Sequence, residues 1–344
     1  MTRLLVVDDC PIFRHLIRSF AEMKGDIRVV GEAVNGLDAI EMVKRLSPDI
    51  VTMDINMPIM DGMETIEHIM ASHPIPILVV TSKDDSETAY QAISKGALEV
   101  LPKSAITSDT YQSFSTKLKL LSQVKVISHI RSKKNPSKIH KFNTSVTLNN
   151  NIEIFGIAAS TGGPKALDQL LGGLPKDFPV PIVIAQHLSD GFMEGLVRWL
   201  DRVSPLTVKI GEFGEPIKAG HVYLSATERH MIVTHSKKIA YKEKVLHELY
   251  VPSCDQLLQS MAYVYQTHCI GIILTGMGKD GFKGAQTIKE QGGFNIAQDK
   301  DSSVIYGMPQ IVIENGLADK IISLNDMGNY LQNITTSNQL RIDH

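Results

Sequence analysis

At 344 residues the chain is long enough for two domains of roughly 100 to 200 residues each. Its 43% hydrophobic and 21% charged content is that of a globular protein and excludes fibrous, collagenous and wholly disordered classes. Thirty-five Lys and Arg against 37 Asp and Glu leave a formal charge of -2, so the total predicts no dominant attraction to nucleic acid or membrane, although residues 104–150 alone carry 8 basic side chains and 1 acidic.

The opening MTRLLVVDDC sets acids directly after a short apolar run, unlike a secretory signal, and no uncharged stretch approaches the roughly 20 residues that cross a bilayer. Cys10, Cys254 and Cys269 are far apart with no C-x-x-C pair, which suggests neither a disulfide framework nor a zinc site, and a cytoplasmic setting is expected. LLVV at 4–7, IRVVGEA at 27–33, DIVTMD at 49–54, PILVVTS at 76–82 and LEVLPK at 98–103 are short and rich in Val, Ile and Leu, as strands buried on both faces are. Amphipathic segments such as 11–24 and 36–46 separate them, so the spacing predicts a doubly wound parallel sheet of five strands. Ligands of such sheets lie beyond the carboxyl ends of the strands.

Asp8 and Asp9 end the first strand, Asp54 the third, Thr81 and Ser82 the fourth, and Lys103 the fifth. Three converging carboxylates repel one another unless a hard divalent cation, Mg²⁺ by its preference for oxygen, lies between them. A hydroxyl and an ammonium facing the same point suit the oxygens of a phosphoryl group. This set, with MPIMDGMET at 57–65, resembles the receiver domain of two-component response regulators. The resemblance implies Asp54 as phospho-acceptor, Asp8, Asp9 and Asp54 as Mg²⁺ ligands, and Thr81 and Lys103 as readers of the phosphoryl group. Ser104 stands where the family usually has Pro and Val100 where an aromatic switch side chain often sits, departures that bear on signal relay.

A helical stripe of Tyr111, Phe114, Leu118 and Leu121 closes a first domain over 1–123. Residues 124–150, including HIRSKKNPSKIHKFNTS, read as a basic flexible linker. A nucleic-acid-binding arm is the weaker alternative there, since no aromatic interleaving or base-reading helix accompanies the charge.

Over 151–344 the βα rhythm returns. IEIFGIAAS at 152–160 reads as a strand ending in Ser160, and GGPKALDQLLGGL at 162–174 as a helix with Pro164 in its first turn. PIVIAQH at 181–187 ends in His187, and CIGIILTGMG at 269–278 leads into a Gly-rich loop carrying Asp280. Singly, each is more often a cap, a structural histidine or a turn residue. Together on one edge they supply a hydroxyl nucleophile, a base and a group that orients the base. Gly162 and Gly163 let backbone N–H groups after Ser160 approach a developing oxyanion, and the 276–278 turn brings the Met277 N–H to the same point. ASTGG is not the G-x-S-x-G elbow of α/β-hydrolases, and the order Ser, His, Asp also differs from theirs.

AASTGGPKAL, AQHLSDGF, LTGMGKDG and AQDKDSSVIYGMP, following a receiver and a linker, resemble the chemotaxis response regulator protein-glutamate methylesterase and glutaminase family, CheB, over roughly 1–325. The resemblance implies a flavodoxin-like receiver joined to a Rossmann-like methylesterase domain. It implies Ser160 as nucleophile, His187 as general base, Asp280 as its orienting partner, and Thr161 and Met277 as oxyanion residues. The implied substrates are glutamate γ-methyl esters and glutamines of methyl-accepting receptors, with a chemotaxis histidine kinase as phosphodonor. Two sites on one chain with a flexible join lead to the expectation that the unphosphorylated receiver covers the catalytic cleft. Mg²⁺ serves the receiver and no cofactor serves the ester hydrolysis. No nucleic acid is expected as a partner, membranes are met only through receptors, and a monomer is expected because no extended heptad pattern appears. Val251 and Cys254, in VPSCDQLLQSMA, stand where the family usually has Arg and Val, and ATERH at 226–230 replaces a usual Ala-Pro-Gly stretch; both segments are expected to flank the cleft. The competing classes are a receptor-binding adaptor without catalysis and a DNA-binding regulator, which predicts a compact helical output with a basic recognition helix.

Overall fold

The computed structural model describes residues 1–82, 86–126, 151–245, 248 and 250–339. Most of the expected linker, from residue 127 to 150, lies outside the described residues. The chain forms two compact units, Met1–Asn149 and Asn150–His344.

The first unit alternates β1 (Thr2–Val7), α1 (Pro11–Glu22), β2 (Ile27–Ala33), α2 (Gly36–Leu46), β3 (Ile50–Met53), α3 (Gly62–Ser72), β4 (Ile77–Thr81), α4 (Ser86–Ser94), β5 (Glu99–Pro102) and α5 (Tyr111–Leu121). The strands form a parallel sheet in the order β2-β1-β3-β4-β5. Their apolar runs are buried, including Leu4, Leu5, Ile50, Val51, Leu78 and Val79. The helix starts are set locally: Asn35 Oδ1 accepts from Asp38 N–H at 3.0 Å before α2, and Asp61 Oδ1 from Glu64 N–H at 2.8 Å before α3. Strand order reverses between β1 and β3, which brings the residues after them side by side. Lys103 falls just past β5 and opens a short 3₁₀ turn, Lys103–Ala105.

The second unit contains β6 (Ile154–Ala159), α6 (Gly163–Gly172), β7 (Ile182–Gln186), α7 (Met193–Val203), β8 (Thr207–Ile210), β9 (His221–Leu224), β10 (Arg229–Val233), β11 (Ile239–Glu243), α8 (Cys254–Tyr265), β12 (Cys269–Ile273), α9 (Phe282–Glu290), β13 (Phe294–Gln298), α10 (Met308–Glu314), β14 (Lys320–Ile322) and α11 (Leu324–Gln339). Seven strands make a parallel sheet, β14-β13-β12-β6-β7-β9-β8, while β10 and β11 pair as a separate antiparallel hairpin. The order turns at β6, with β7 on one side and β12 on the other, so the loops after β6 and β12 open a crevice at their carboxyl ends. Helix α8 packs Leu257, Leu258 and Met261 into the core beside Ile154, Ile273 and Ile288. Among the described residues no helix is long and apolar enough to cross a membrane.

Because Leu258 is fully buried and α8 positions the loop ahead of it, Leu258→Ala should destabilise this unit by about 2–5 kcal/mol. Chemical denaturation measures this; a loss below about 1 kcal/mol would mean that α8 is not seated in the core as described.

Candidate active site

At the carboxyl edge of the first sheet, one oxygen each of Asp8, Asp9 and Asp54 lies within 4.8 Å of the others. Asp8 and Asp54 are buried, whereas Asp9 is exposed. Lys103 Nζ reaches 2.7 Å from Asp54 Oδ2 and 2.8 Å from Asp8 Oδ2, the first aligned as a hydrogen bond and the second a charge contact. Burial pushes the Asp54 carboxyl up and the Asp8 charge adds to this, against the pull of Lys103. Burial works to lower the Lys103 ammonium, but the two carboxylates outweigh it and hold it above its ordinary value. Thr81 Oγ1 is buried and, among the described residues, has no hydrogen-bond partner. Three hard oxygen donors with an incompletely paired Asp8 oxygen among them fit a divalent cation such as Mg²⁺.

In the second unit Ser160 follows β6 and His187 follows β7, and His187 N–H donates to Ala159 O at 3.0 Å, so the two residues end neighbouring strands. Asp280 enters from the loop between β12 and α9, and its Oδ2 lies 2.7 Å from His187 Nε2. That leaves Nδ1 as the ring nitrogen free to act as a base. Among the described residues no hydrogen bond joins Ser160 Oγ to His187. Ser160 itself is 8% exposed. The structure therefore brings histidine and carboxylate into direct contact and the serine to an adjacent strand end.

Asp280 is held by more than the imidazole. Its Oδ2 accepts from Cys254 N–H at 2.6 Å, and its Oδ1 from Asp255 N–H at 2.9 Å and Ser253 Oγ at 3.1 Å. These donors are the N-cap and first turn of α8, where free N–H groups and the helix dipole favour an anion. Asp255 makes the reciprocal contact, its Oδ1 accepting from Gly281 N–H at 2.8 Å and Gly284 N–H at 2.9 Å at the start of α9. Burial pushes the Asp280 carboxyl up, but the His187 hydrogen bond and charge and the N–H donors outweigh it and hold it below its ordinary value. Asp255 is raised, first by burial and then by the Asp280 charge, despite its own donors.

The chain of contacts continues outward. Ser253 N–H donates to His230 Nδ1 at 3.0 Å, so His230 carries its proton on Nε2, which meets Glu248 Oε2 at 2.7 Å. His230, from ATERH, is fully buried, and VPSCD supplies the donors to Asp280, so both divergent segments border the site. Cys254 adds its Sγ, 3.6 Å from His187 Nε2, and burial followed by the Asp280 charge pushes this thiol well up. Tyr250 stacks on the imidazole with ring centroids 4.8 Å apart and planes 10° from parallel. Gln186 is fully buried and its Nε2 donates to Ser160 O and His187 O, both at 2.8 Å, tying the two strand ends together. No sequence motif marks Gln186 or Tyr250 as part of the site. The polar Gln186 inside the apolar run PIVIAQH was a readable signal, whereas nothing local marks Tyr250.

Backbone geometry decides which donors face the serine. Gly163 N–H is taken by Ser160 O at 2.8 Å, which removes it from the candidate oxyanion donors. Among the described residues, no hydrogen bond occupies the Thr161 N–H, just ahead of α6, or the Met277 N–H, in the 276–278 turn. Gly162 is left-handed at φ 78°, and a Cβ there would lie 2.6 Å from Val304 Cβ. A Cβ on Gly276 would meet Met308 Sδ at 2.3 Å and Ser160 Cβ at 2.8 Å, so only glycine lets this turn close over the serine.

Comparison with known proteins agrees with this architecture. Residues 155–331 match the CheB methylesterase family and residues 4–113 the response regulator receiver domain. The chain is 41% identical to a protein-glutamate methylesterase/protein-glutamine glutaminase of Paramagnetospirillum magneticum over 96% of both chains. It is 37% identical to a protein of the same description from Myxococcus xanthus, again over 96% of each. The CheB methylesterase catalytic domain of Thermotoga maritima superposes with a TM-score of 0.51 at 40% identity, covering 53% of this chain and 98% of that one.

Since the folded state holds Asp280 below 3.8, its ordinary value, the unfolded chain takes up this proton first on acidification. The carboxylate's contribution to stability is thus complete above that value and is lost as the pH falls through the lower folded one. Acid unfolding should be less steep in Asp280→Asn than in the parent below about pH 4; parallel curves would remove this assignment. His230→Leu strands the Ser253 N–H and should lower stability by about 1–3 kcal/mol in urea titration.

Proposed function

This chain belongs to the CheB methylesterase family, and we propose that it hydrolyses glutamate γ-methyl esters on methyl-accepting chemotaxis receptors and deamidates receptor glutamines, under control of phosphorylation at Asp54. The observation that carries the catalytic reading is the His187–Asp280 pair at 2.7 Å on the strand edge that Ser160 shares.

In this reading Ser160 Oγ attacks the ester carbonyl while His187 Nδ1 takes its proton, the Nε2–H being held by Asp280. The ring is used in the sense opposite to the familiar one, in which the carboxylate holds Nδ1. The Ser160–His187 hydrogen bond forms in the substrate complex, where catalytic hydrogen bonds tighten. Thr161 and Met277 N–H stabilise the oxyanion, each such donor being worth about 3–4 kcal/mol of barrier. Imidazolium Nδ1–H protonates the departing methoxide as the C–O bond breaks, releasing methanol and leaving an acyl-enzyme on Ser160. Water then attacks with the same nitrogen as base, releasing glutamate and restoring the hydroxyl. A glutamine substrate follows the same path with ammonia leaving.

In the receiver, Asp54 accepts a phosphoryl group from a chemotaxis histidine kinase, and Thr81 Oγ1 and Lys103 Nζ bind its oxygens. Asp8, Asp9 and Asp54 would hold Mg²⁺, whose charge neutralises the transferring group. Residues 124–150 serve as the tether between the two units.

Ser160→Ala should abolish methanol release from methylated receptor membranes, and Asp280→Asn should lower kcat by about 10³ to 10⁴. Equal release by wild type and Ser160→Ala would end the hydrolase reading and leave a receptor-binding adaptor. Asp54→Asn should keep the basal rate and lose the stimulation that a small-molecule phosphodonor gives the parent chain.

A further inference from the structure

We propose that His187 Nε2, Cys254 Sγ and Asp280 Oδ2 also form a binding site for a borderline-soft divalent transition metal of the Zn²⁺ type, and that occupancy of this site silences the serine. One donor atom of each residue lies within 4.8 Å of the other two. Sequence spacing gives no hint of this set, because its members come from the loop after β7, the start of α8 and the loop before α9.

One donor separation already matches a tetrahedral ion and a second needs only a small opening. With Zn–S near 2.3 Å and Zn–N near 2.0 Å, sulfur and nitrogen should be about 3.5 Å apart. Cys254 Sγ and His187 Nε2 are 3.6 Å apart. His187 Nε2 and Asp280 Oδ2, at 2.7 Å, must open by about 0.6 Å, the distance between a hydrogen bond and two ligands of one ion. Cys254 Sγ donates to Ala185 O at 3.3 Å, and this contact is given up when the thiol ligates. The charges balance: one thiolate and one carboxylate neutralise a dication, so the occupied site is left with no net charge to bury. Imidazole and thiolate discriminate against Mg²⁺, which the oxygen-only receiver set favours. The His187 side chain is 13% exposed, so the pocket has an open side.

Occupancy conflicts with catalysis for a stereochemical reason. A metal on Nε2 displaces the proton from that nitrogen, and a neutral imidazole then carries its proton on Nδ1. Nδ1–H cannot accept the Ser160 proton, and Asp280 is drawn to the ion. The thiol proton leaves to solvent, and a water fills the fourth position. The silencing rests on the hydrolase reading; the metal binding does not.

The test uses the full chain in excess Mg²⁺, with Co²⁺ and Zn²⁺ as probes. Co²⁺ should give a thiolate-to-cobalt charge-transfer band saturating at one equivalent, and Zn²⁺ should displace it and raise Tm. Cys254→Val and Cys254→Ser should lose the band and bind Zn²⁺ at least tenfold more weakly, whereas Cys10→Ser and Cys269→Ser keep both. A parent chain with no band, or a band that survives Cys254→Val and vanishes in Cys10→Ser or Cys269→Ser, overturns the site. In the methanol assay, chelator-reversible Zn²⁺ inhibition should need at least tenfold more metal in Cys254→Val. A cobalt band with no methanol release from metal-free protein would sink the hydrolase reading and leave the metal site standing; release without a band does the reverse.

Discussion

A carboxylate taken out of water loses several kcal/mol of solvation unless hydrogen bonds and opposite charge replace it. Asp280, 4% exposed, receives that replacement from four directions: an imidazole, a hydroxyl and two N–H groups of one helix start. Much of the second unit's architecture follows from this need. Helix α8 must point its amino end at the strand edge, the β12–α9 loop must turn back toward it, and Asp255 must occupy the amino end of α9 so that two acids are not left facing each other unpaired.

The receiver unit meets the same problem with different means. There Asp8 and Asp54 face a mobile-chain ammonium from Lys103 rather than fixed backbone dipoles. An ammonium on a four-carbon stem can shift with a change of charge beside it, as fixed dipoles cannot. Fixed dipoles suit a carboxylate that must stay ionised and hold one orientation of a ring. In both units the acids lie where strand order reverses, because only there does a parallel sheet leave its carboxyl-end loops splayed enough to admit a ligand.

The environment of His187 is tighter than its pair with Asp280 alone implies. Tyr250 covers one face, Cys254 sulfur approaches Nε2, and Gln186 fastens the strand ends that carry Ser160 and His187. A ring restrained on so many sides keeps Nε2 turned to Asp280, with no hydrogen bond to Nδ1 among the described residues. The same packing is what lets a thiol reach the nitrogen that faces the carboxylate.

Strand positions and the residues at their ends were legible in the sequence, because a strand buried on both faces must be a short continuous apolar run and the first polar residue after it marks the sheet's edge. Ser160, His187, Asp54 and Asp8 each fall just past a strand end that such a run marks, and the sheets formed where the runs LLVV, IRVVGEA and IEIFGIAAS predicted. What only the tertiary structure decided was pairing across the fold: which nitrogen of His187 meets Asp280, that Gly163 N–H is already engaged, that Cys254 gives its N–H to Asp280 and its sulfur to the His187 side, and that His230 accepts from the Ser253 N–H. Apart from the Gly163–Ser160 turn, those contacts join residues tens of positions apart, brought together by strand order and helix packing. Local apolar periodicity carries no information about them, since it records which face of an element is buried and not what it is buried against.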